Sequence, residues 1–174
     1  SQEVMKSSSF AQREYTKGKK SQDLIGSIGF GERVEVKNKL KVLITGAESY
    51  IGTSFEAYVN KHYREYFLID TLDMRENAWK NLDFSKYDIV FHVAGLAHAD
   101  VGRVTEETKA KYYAVNTDLA IETAKKAKED GVKQFIFMSS SIIYGDSAPF
   151  GKRKRITRYT ESSPANFYGD SKWQ

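Results

Sequence analysis

The sequence predicts an α/β domain built on a doubly wound parallel sheet, and three observations lead to that prediction. Short apolar segments typical of buried strands occur at residues 41–45, 66–70, 88–94 and 133–138. Longer segments with helical periodicity separate most of them. A turn that contains glycine directly follows the first apolar segment, where a strand would lead into a helix. Strands that alternate with helices form parallel sheets with right-handed crossovers, so this order of elements indicates the fold class.

The elements of the first half follow from this pattern. We predict a helix over residues 49–62 and a second strand over residues 66–70, which ends at Asp70. The segment 72–84 is too short for another complete strand-helix unit. The third strand, residues 88–94, is almost continuously apolar, as expected for a parallel strand covered on both faces.

The second half adds two helices and one strand. A long helix is predicted over residues 105–130, with Thr105 as its N-cap and lysines near its C-terminal end. No later strand is available to pair with the strand at 133–138, so we expect it to form a sheet edge that invites association. The order Ser163-Pro164 predicts the start of a last helix.

The turn after the first strand, TGAESYIG, predicts a nucleotide site. Glycine lets the backbone turn tightly and approach a pyrophosphate, whose negative charge is attracted by the amides at a helix N-terminus. Glycine takes the outer positions of the motif, while serine stands in the middle and brings a Cβ close to the nucleotide. The residues expected to contact the cofactor are Gly46, Ser49, Tyr50, Ile51 and Gly52.

Asp70 indicates which dinucleotide this turn binds. It lies 18 residues after Gly52, at the end of the second predicted strand, where a carboxylate can accept both hydroxyls of the adenosine ribose. A 2′-phosphate would meet that negative charge, so we predict NAD as the cofactor in preference to NADP. Asp73 is the alternative carboxylate, and a strand-end cap is the alternative role for Asp70.

A second motif, YGDSK, carries Tyr168 and Lys172 near the end of the sequence. Residues four apart face the same side of a helix. A phenol is a poor base at neutral pH unless a nearby cation stabilises the phenolate, so this pair suits proton transfer coupled to hydride transfer. A serine cluster at residues 139–141 follows the fourth strand, at the carboxyl end of the sheet where ligands bind in open α/β folds.

Taken in this order, the motifs resemble those of the extended short-chain dehydrogenases/reductases, in the NAD-dependent epimerase/dehydratase family of nucleotide-sugar enzymes. TGAESYIG is similar to the family's TGxxGxIG, SSSIIYG to its SSxxxYG and YGDSK to its YxxSK. VFHVAG resembles its VxHxAA, with Gly95 in place of an alanine. The resemblance covers residues 40–174 and implies a Rossmann-like fold that binds NAD.

The resemblance also implies roles for individual residues. It places the catalytic hydroxyl at Ser140, beside Tyr168 and Lys172, and these three are the predicted catalytic residues. Further cofactor contacts are implied for Ala94, Gly95 and Asn116, together with Tyr168 and Lys172.

Within the family, sugar 4,6-dehydratases carry an Asp-Glu pair just after the catalytic hydroxyl. Here those positions are Ser141 and Ile142, which offer no carboxyl group. The resemblance therefore implies an epimerase or a simple oxidoreductase. An epimerase would oxidise a sugar carbon, turn the keto intermediate and return the hydride to its other face.

Composition limits the remaining functions. The net charge of +4 arises in residues 1–41, which hold nine Lys/Arg against five Asp/Glu. We interpret residues 1–38 as a basic, solvated arm, with contact to nucleic acid or anionic lipid as the alternative, and residues 39–174 as the NAD-binding domain. We expect no nucleic-acid or membrane partner, no metal site and a cytoplasmic location, because the chain lacks cysteine, a long apolar run and an apolar leader.

Two other polar features, His92 and a basic run, are not assigned to the predicted site. His92 alternates within a buried strand, and we interpret it as structural rather than as a ligand. The basic run KRKR at residues 152–155 lies between the two catalytic segments. We interpret it as a solvated loop, with contact to a sugar-nucleotide diphosphate as the alternative.

The sequence stops two residues after Lys172, whereas the resemblance implies much longer relatives. We therefore expect a fragment incomplete at its C-terminus, with little activity alone, in which a nucleotide sugar is the substrate of the full-length relative. A homo-oligomer is possible through the exposed strand edge. The alternatives are a non-catalytic NAD-binding module that dimerises and a small NAD(P)-dependent reductase.

Overall fold

The structure is a computed structural model that describes residues 39–97 and 104–174. The basic arm predicted over residues 1–38 lies outside the described residues.

Four strands and four α-helices make up the described part of the chain. The strands are β1 (Leu40–Thr45), β2 (Phe67–Leu72), β3 (Ile89–His92) and β4 (Gln134–Phe137). The helices are α1 (Tyr50–His62), α2 (Glu106–Tyr113), α3 (Leu119–Glu129) and α4 (Phe167–Trp173). Two 3₁₀ turns (Asn77–Asn81 and Ser141–Tyr144) and one π-helical segment (Ala114–Asp118) complete them.

The four strands form one parallel sheet in the order β2-β1-β3-β4, which confirms the predicted fold class. Thr45 lies opposite Leu72 on one side and opposite His92 on the other, so three carboxyl ends meet at one edge. The chain runs outward from β1 to β2 and then returns to the other side of β1. This reversal creates a switch point between β1 and β3, where open α/β sheets bind ligands.

Alternate side chains of the central strands form two apolar cores, one on each face of the sheet. Leu43 and Val90 belong to a cluster that includes Trp79 from the first 3₁₀ turn and Ala127 from α3. The other cluster contains Val42, Ile44, Phe91 and Val93. Because both faces are covered, β1 and β3 are apolar along nearly their whole length.

β4 forms one edge of the four-stranded sheet, as predicted from the sequence. Ile136 on this strand is 39% exposed. The strand therefore presents unpaired backbone groups and apolar side chains along the same edge.

Two predicted boundaries are wrong. β2 continues past Asp70 to Leu72, so Asp70 does not end the strand. The last helix begins at Phe167, with Asn166 rather than Ser163 as its N-cap, and the Asn166 side chain accepts a hydrogen bond from the Gly169 amide. Ser163 instead donates its backbone N–H to the Ile143 carbonyl at 2.8 Å, which holds it on the preceding turn.

The helix predicted over residues 105–130 is present but is not uniform. Thr105 caps its start, as predicted, by accepting a hydrogen bond from the Thr108 amide at 3.1 Å. The π-helical segment interrupts it between α2 and α3. Such segments often occur at functional sites, and this one carries Asn116.

Candidate active site

The glycine turn after β1 closes tightly against the loop that follows β3. Gly46 has φ +98°, and a Cβ added to it would lie 2.8 Å from the Ala94 backbone nitrogen. Ser49 caps α1 by accepting a hydrogen bond from the Gly52 amide at 3.1 Å. A Cβ on Gly52 would lie only 2.8 Å from that Ser49 oxygen. The serine in the middle of the motif is thus part of the turn's own structure.

Asp70 occupies the middle of β2, opposite Leu43, and its carboxylate accepts a hydrogen bond from the Tyr87 hydroxyl at 2.8 Å. Burial, followed by the bond to Asp70, raises the pKa of Tyr87 to about 12. The expectation that Asp70 lies at the strand end beside the glycine turn is therefore wrong. A ribose-binding role for it remains a prediction, and its position does not favour that role.

Asp73 takes the place beside the turn, because it directly follows β2 and the Leu72 carbonyl accepts the Gly46 amide at 2.8 Å. The Arg75 side chain contacts Asp73 through Nε at 2.8 Å and Glu48 through Nη2 at 3.3 Å. The hydrogen bond from Arg75 holds the pKa of Asp73 below its usual range. Two carboxylates and one guanidinium thus stand at the edge of the turn.

Glu48 is strained as well as charged. Its φ of +66° is the only positive value among the non-glycine residues that the structure describes. Left-handed backbone is unfavourable for residues with a Cβ and often marks functional turns. Sequence reasoning did not single out this residue, since its position in the motif is variable.

The loop after β3 brings Gly95 against two predicted cofactor residues. A Cβ on Gly95 would lie 2.5 Å from the Lys172 Nζ and 3.0 Å from the Asn116 Oδ1. The alanine that the family carries at this position would therefore crowd the ammonium group as it stands here. Gly95, Asn116 and Lys172 form one contact group at the switch point.

Asn116 fixes this group in place. Its Oδ1 accepts the Leu96 amide at 2.7 Å, and its Nδ2 donates to the Leu96 carbonyl at 3.1 Å and to the Ser171 hydroxyl at 3.0 Å. Thr117 donates its hydroxyl to the Ser171 carbonyl at 2.7 Å. The π-helical segment thus joins the loop after β3 to α4. Sequence reasoning missed Thr117 and Ser171 as individual residues, although the serine of YxxSK signalled the latter.

Lys172 is buried between these elements, with 9% of its surface exposed. Its Nζ lies 3.4 Å from the Met138 carbonyl and 5.0 Å from the centre of the Phe137 ring. Burial lowers the pKa of Lys172. The cation is therefore held in an environment where solvent screens its charge only weakly.

His92 lies at the end of β3 and is fully buried. Its Nδ1 shares a hydrogen bond with the Thr45 hydroxyl at 2.7 Å, whereas its Nε2 is buried without a partner. Burial, and then the charge of Lys172, lower the pKa of His92 to about 4. These contacts are those of a neutral side chain in the core.

Ser140 and Tyr168 line the same pocket, which has a volume of about 470 Å³. Ser140 caps the 3₁₀ turn that follows β4, and Tyr168 lies in the first turn of α4. The Tyr168 ring packs edge-on against Tyr112, with ring centres 6.0 Å apart. Lys172 does not line this pocket and lies instead in a neighbouring groove with Asn116.

The structure thus brings the predicted residues together in three groups. They are the glycine turn with Ala94, the contact group of Gly95, Asn116 and Lys172, and the pocket lined by Ser140 and Tyr168. Tyr50 and Ile51 open α1 on an exposed surface beside the turn. Asp70 is the predicted residue that stands apart.

Two further observations concern absences in the described residues. Within 39–97 and 104–174, no group of three or more His, Asp or Glu side chains is placed to hold a metal ion. In the same part of the chain, no helix combines the length and apolar character required to cross a membrane.

Comparisons with known proteins show what the chain is similar to. The chain is 28% identical over 154 residues to the bifunctional protein GAL10 of Pachysolen tannophilus, a match that covers 75% of this chain and 22% of that protein. The UDP-Glc/GlcNAc 4-epimerase of Campylobacter jejuni superposes with a TM-score of 0.59 at 22% identity, covering 77% of this chain and 46% of the other. The UDP-glucuronic acid 4-epimerase of Bacillus cereus in complex with NAD superposes with a TM-score of 0.60 at 19% identity, covering 77% and 49%.

The chain therefore spans less than half the length of each of these proteins. The structural matches establish the fold. A family model matches residues 42–174, which is most of the sequence and the whole of the described site. On this evidence of motif, fold and family match, the chain belongs to the NAD dependent epimerase/dehydratase family.

Proposed function

We propose that this chain carries the cofactor-binding and proton-transfer residues of an NAD-dependent nucleotide-sugar epimerase. In that reaction a sugar hydroxyl is oxidised transiently and then reduced from the other face. The observation that supports this best is the shared pocket of Ser140 and Tyr168, with the buried Lys172 one helical turn along α4. Since the chain spans only part of its relatives, the reaction is proposed for the protein that contains the remaining half.

The residues of the glycine turn fit a dinucleotide. Gly46 packs so closely on Ala94 that a side chain has no room, which leaves bare backbone at the turn. The first amides of a helix lack partners within it, and Ser49 satisfies only that of Gly52, so the amides of Tyr50 and Ile51 are available to a pyrophosphate. When bound, the nicotinamide ring would accept a hydride from the sugar carbon and return it.

The protein side of the chemistry is a proton transfer at Tyr168. Its phenolate oxygen takes the proton of the sugar hydroxyl, while the Ser140 hydroxyl holds that group by a hydrogen bond. The buried Lys172 ammonium, one helical turn along α4, supplies the positive charge proposed to accompany this proton transfer. On the return step the same proton goes back from Tyr168 to the sugar oxygen, so the residues end as they began.

For the adenosine ribose we propose Asp73 rather than Asp70. Asp73 lies beside the glycine turn, and its lowered pKa keeps it ionised and able to accept the ribose hydroxyls. Together with Glu48 it outweighs the single charge of Arg75, which favours NAD over NADP.

The cofactor assignment is tested by titrating NADH and NADPH into Asp73→Asn and, as the matched control, Asp70→Asn. We expect Asp73→Asn to weaken NADH binding about tenfold, since hydrogen bonds to a charged group contribute about 1.5–3 kcal/mol, and to narrow the preference over NADPH. Asp70→Asn should leave NADH binding within a factor of about two, because the residue lies away from the proposed ligand and the amide oxygen can still accept the Tyr87 hydroxyl. Larger loss in Asp70→Asn, or tighter binding of NADPH by the unaltered chain, would contradict the assignment.

The chemistry is tested with Tyr168→Phe, using UDP-glucose and UDP-glucuronic acid as substrates and the absorbance of reduced nicotinamide as the signal. The variant should bind NADH as the unaltered chain does. In the protein that contains the remaining half, it should give no reduced nicotinamide with either sugar, whereas the unaltered protein should; equal reduction by both would contradict the role of Tyr168.

The non-catalytic module is the second candidate, and the open edge of β4 favours it. A groove of about 380 Å³ beside that edge is lined by apolar side chains that include Phe135, Phe137 and Trp173. This candidate predicts NADH binding, self-association in sedimentation measurements, and no effect of Tyr168→Phe on any activity.

A further inference from the structure

The pocket that holds Ser140 and Tyr168 also contains a cation that the hydride-transfer chemistry does not use. Lys154, from the basic run at residues 152–155, lines this pocket together with Ile156. The sequence alone favoured a solvated loop for this run. In the structure the Lys154 side chain is exposed to solvent yet held at the wall of the pocket.

Lys154 is fixed by two hydrogen bonds to neutral groups. Its Nζ donates to the Tyr144 carbonyl at 2.6 Å and to the Asp146 carbonyl at 3.1 Å. These carbonyls flank Gly145, whose φ of +87° turns both toward the ammonium group. An ammonium group has three N–H donors, so one remains for a ligand.

The charge of Lys154 is also uncompensated in the described part of the chain. None of the ion pairs found there includes Lys154. Asp146 lines the same pocket, but its carboxylate makes no ion pair with Lys154. Lys152, Arg153 and Arg155 are exposed neighbours of Lys154 in the same loop and add positive charge to it.

We infer that Lys154 binds an anionic group of the substrate in the pocket of Ser140 and Tyr168, an inference that rests on the proposed function. The anion is an oxyanion: either a carboxylate on the sugar ring or the diphosphate that links the sugar to its nucleotide. Both present acceptor oxygens to the free N–H and a negative charge to the ammonium group. Lys154 would thereby select substrates rather than take part in the proton transfer.

The existing bonds of Lys154 strengthen this inference. A lysine side chain loses much rotational freedom when it binds a ligand, but the two carbonyls already hold this one in place. Holding the turn alone would not require a charge, since a neutral amide can donate to the same carbonyls. The charge itself is therefore the property to test.

The test uses the full chain with saturating NADH and measures the binding of UDP, UDP-glucose and UDP-glucuronic acid by calorimetry. Lys154→Gln removes the charge and keeps N–H donors for the turn, whereas Lys154→Arg keeps the charge. Lys152→Gln is the matched control, because it removes a charge from the same loop at a residue that does not line the pocket. Thermal unfolding of each variant checks that the turn is intact.

If the sugar carboxylate is the anion, Lys154→Gln should weaken UDP-glucuronic acid about tenfold and leave the other two ligands unchanged. If the diphosphate is the anion, all three ligands should weaken by a similar factor. In either case Lys154→Arg should retain most of the affinity.

If Lys154→Gln does not fold, the test uses a variant in which Lys152, Arg153 and Arg155 are all replaced by glutamine. Lys154 is then the single cation that remains in residues 152–155. Affinity that still falls as salt is added would support a charge contact at Lys154. Affinity that no longer depends on salt would overturn it.

The inference is overturned if Lys154→Gln binds all three ligands as the unaltered chain does, or if Lys152→Gln weakens them as much. It is overturned equally if the chain binds NADH but none of the three ligands. Failure to bind NADH would instead count against the proposed function, so the two failures are distinguishable.

Discussion

Replacing Gly46 by alanine tests whether the turn after β1 needs bare backbone for packing as well as for binding. At φ +98° any residue with a Cβ is strained, at about 1–2 kcal/mol. The added Cβ would also lie 2.8 Å from the Ala94 nitrogen, 2.9 Å from its Cα and 3.3 Å from its Cβ. Two of these atoms are backbone, which cannot move aside without disturbing β3.

Overpacking of this kind typically adds about 1–3 kcal/mol. We therefore expect Gly46→Ala to lower the free energy of unfolding by about 2–5 kcal/mol in total. Gly131 supplies a matched control, because it has φ +79° but no atom within 4 Å of an added Cβ. Gly131→Ala should lose only the strain, about 1–2 kcal/mol.

The measurement is urea unfolding of both variants, with the slope of the transition compared to that of the unaltered chain. Gly46→Ala should also lose NADH affinity, whereas Gly131→Ala, after α3 and away from the turn, should not. Equal destabilisation by the two substitutions would refute the close approach to Ala94. Normal NADH binding by a folded Gly46→Ala would refute the role of the turn.

The remaining predictions concern His92 and Glu48. His92 is neutral in the folded state with a pKa of about 4, below the ordinary value of 6.5, so the unfolded chain binds its proton first as the pH falls. The free energy of unfolding should be undiminished above about pH 6.5 and should fall by about 3 kcal/mol toward pH 4. In urea unfolding, His92→Phe should flatten this pH dependence. His62→Gln, on the exposed surface of α1, is the control and should leave it unchanged. Glu48→Gly relieves a strained backbone, so the free energy of unfolding should rise by about 0.5–1 kcal/mol. It also removes a carboxylate beside the glycine turn, so NADH should bind more tightly. A destabilised variant with unchanged NADH affinity would show that the Arg75 contact outweighs the strain.

The sheet could be predicted from the sequence because its two central strands are covered on both faces. β1 and β3 are runs of apolar residues bounded by polar or glycine positions, and their register then follows from parallel pairing. The tight turn at Gly46 was equally predictable, since few residue types can adopt its conformation.

The end of β2 was not predictable in the same way. Thr71 and Leu72 are as compatible with a strand as the residues before Asp70, so the sequence holds no signal that separates the end of the strand from the carboxylate. Because Leu72 pairs with Thr45, the strand is two residues longer than predicted. Asp70 therefore lies two residues before the carboxyl end of β2, at about 3.3 Å per residue along the strand. The displacement is small along the chain, yet it exchanges one candidate ribose ligand for another.

The π-helical segment was also beyond the reach of periodicity. The segment makes tertiary hydrogen bonds that a local pattern does not reveal. Asn116 bonds to Leu96 and Ser171, and Thr117 bonds to Ser171, although these elements are far apart in sequence. A prediction from periodicity sees only one continuous helix over these residues. Local irregularity at a functional site is where such a prediction usually fails.

The position of the Lys172 ammonium group depends on the absence of a Cβ at Gly95. The Lys172 Nζ lies only 2.5 Å from the position that the Cβ of the family's usual alanine would take at residue 95. A lysine is flexible at its tip, so an alanine here could displace the Nζ with little loss of stability. The absence of a Cβ at Gly95 therefore determines where the Lys172 ammonium group stands relative to Asn116, because an added Cβ would lie 2.5 Å from the Lys172 Nζ and 3.0 Å from the Asn116 Oδ1.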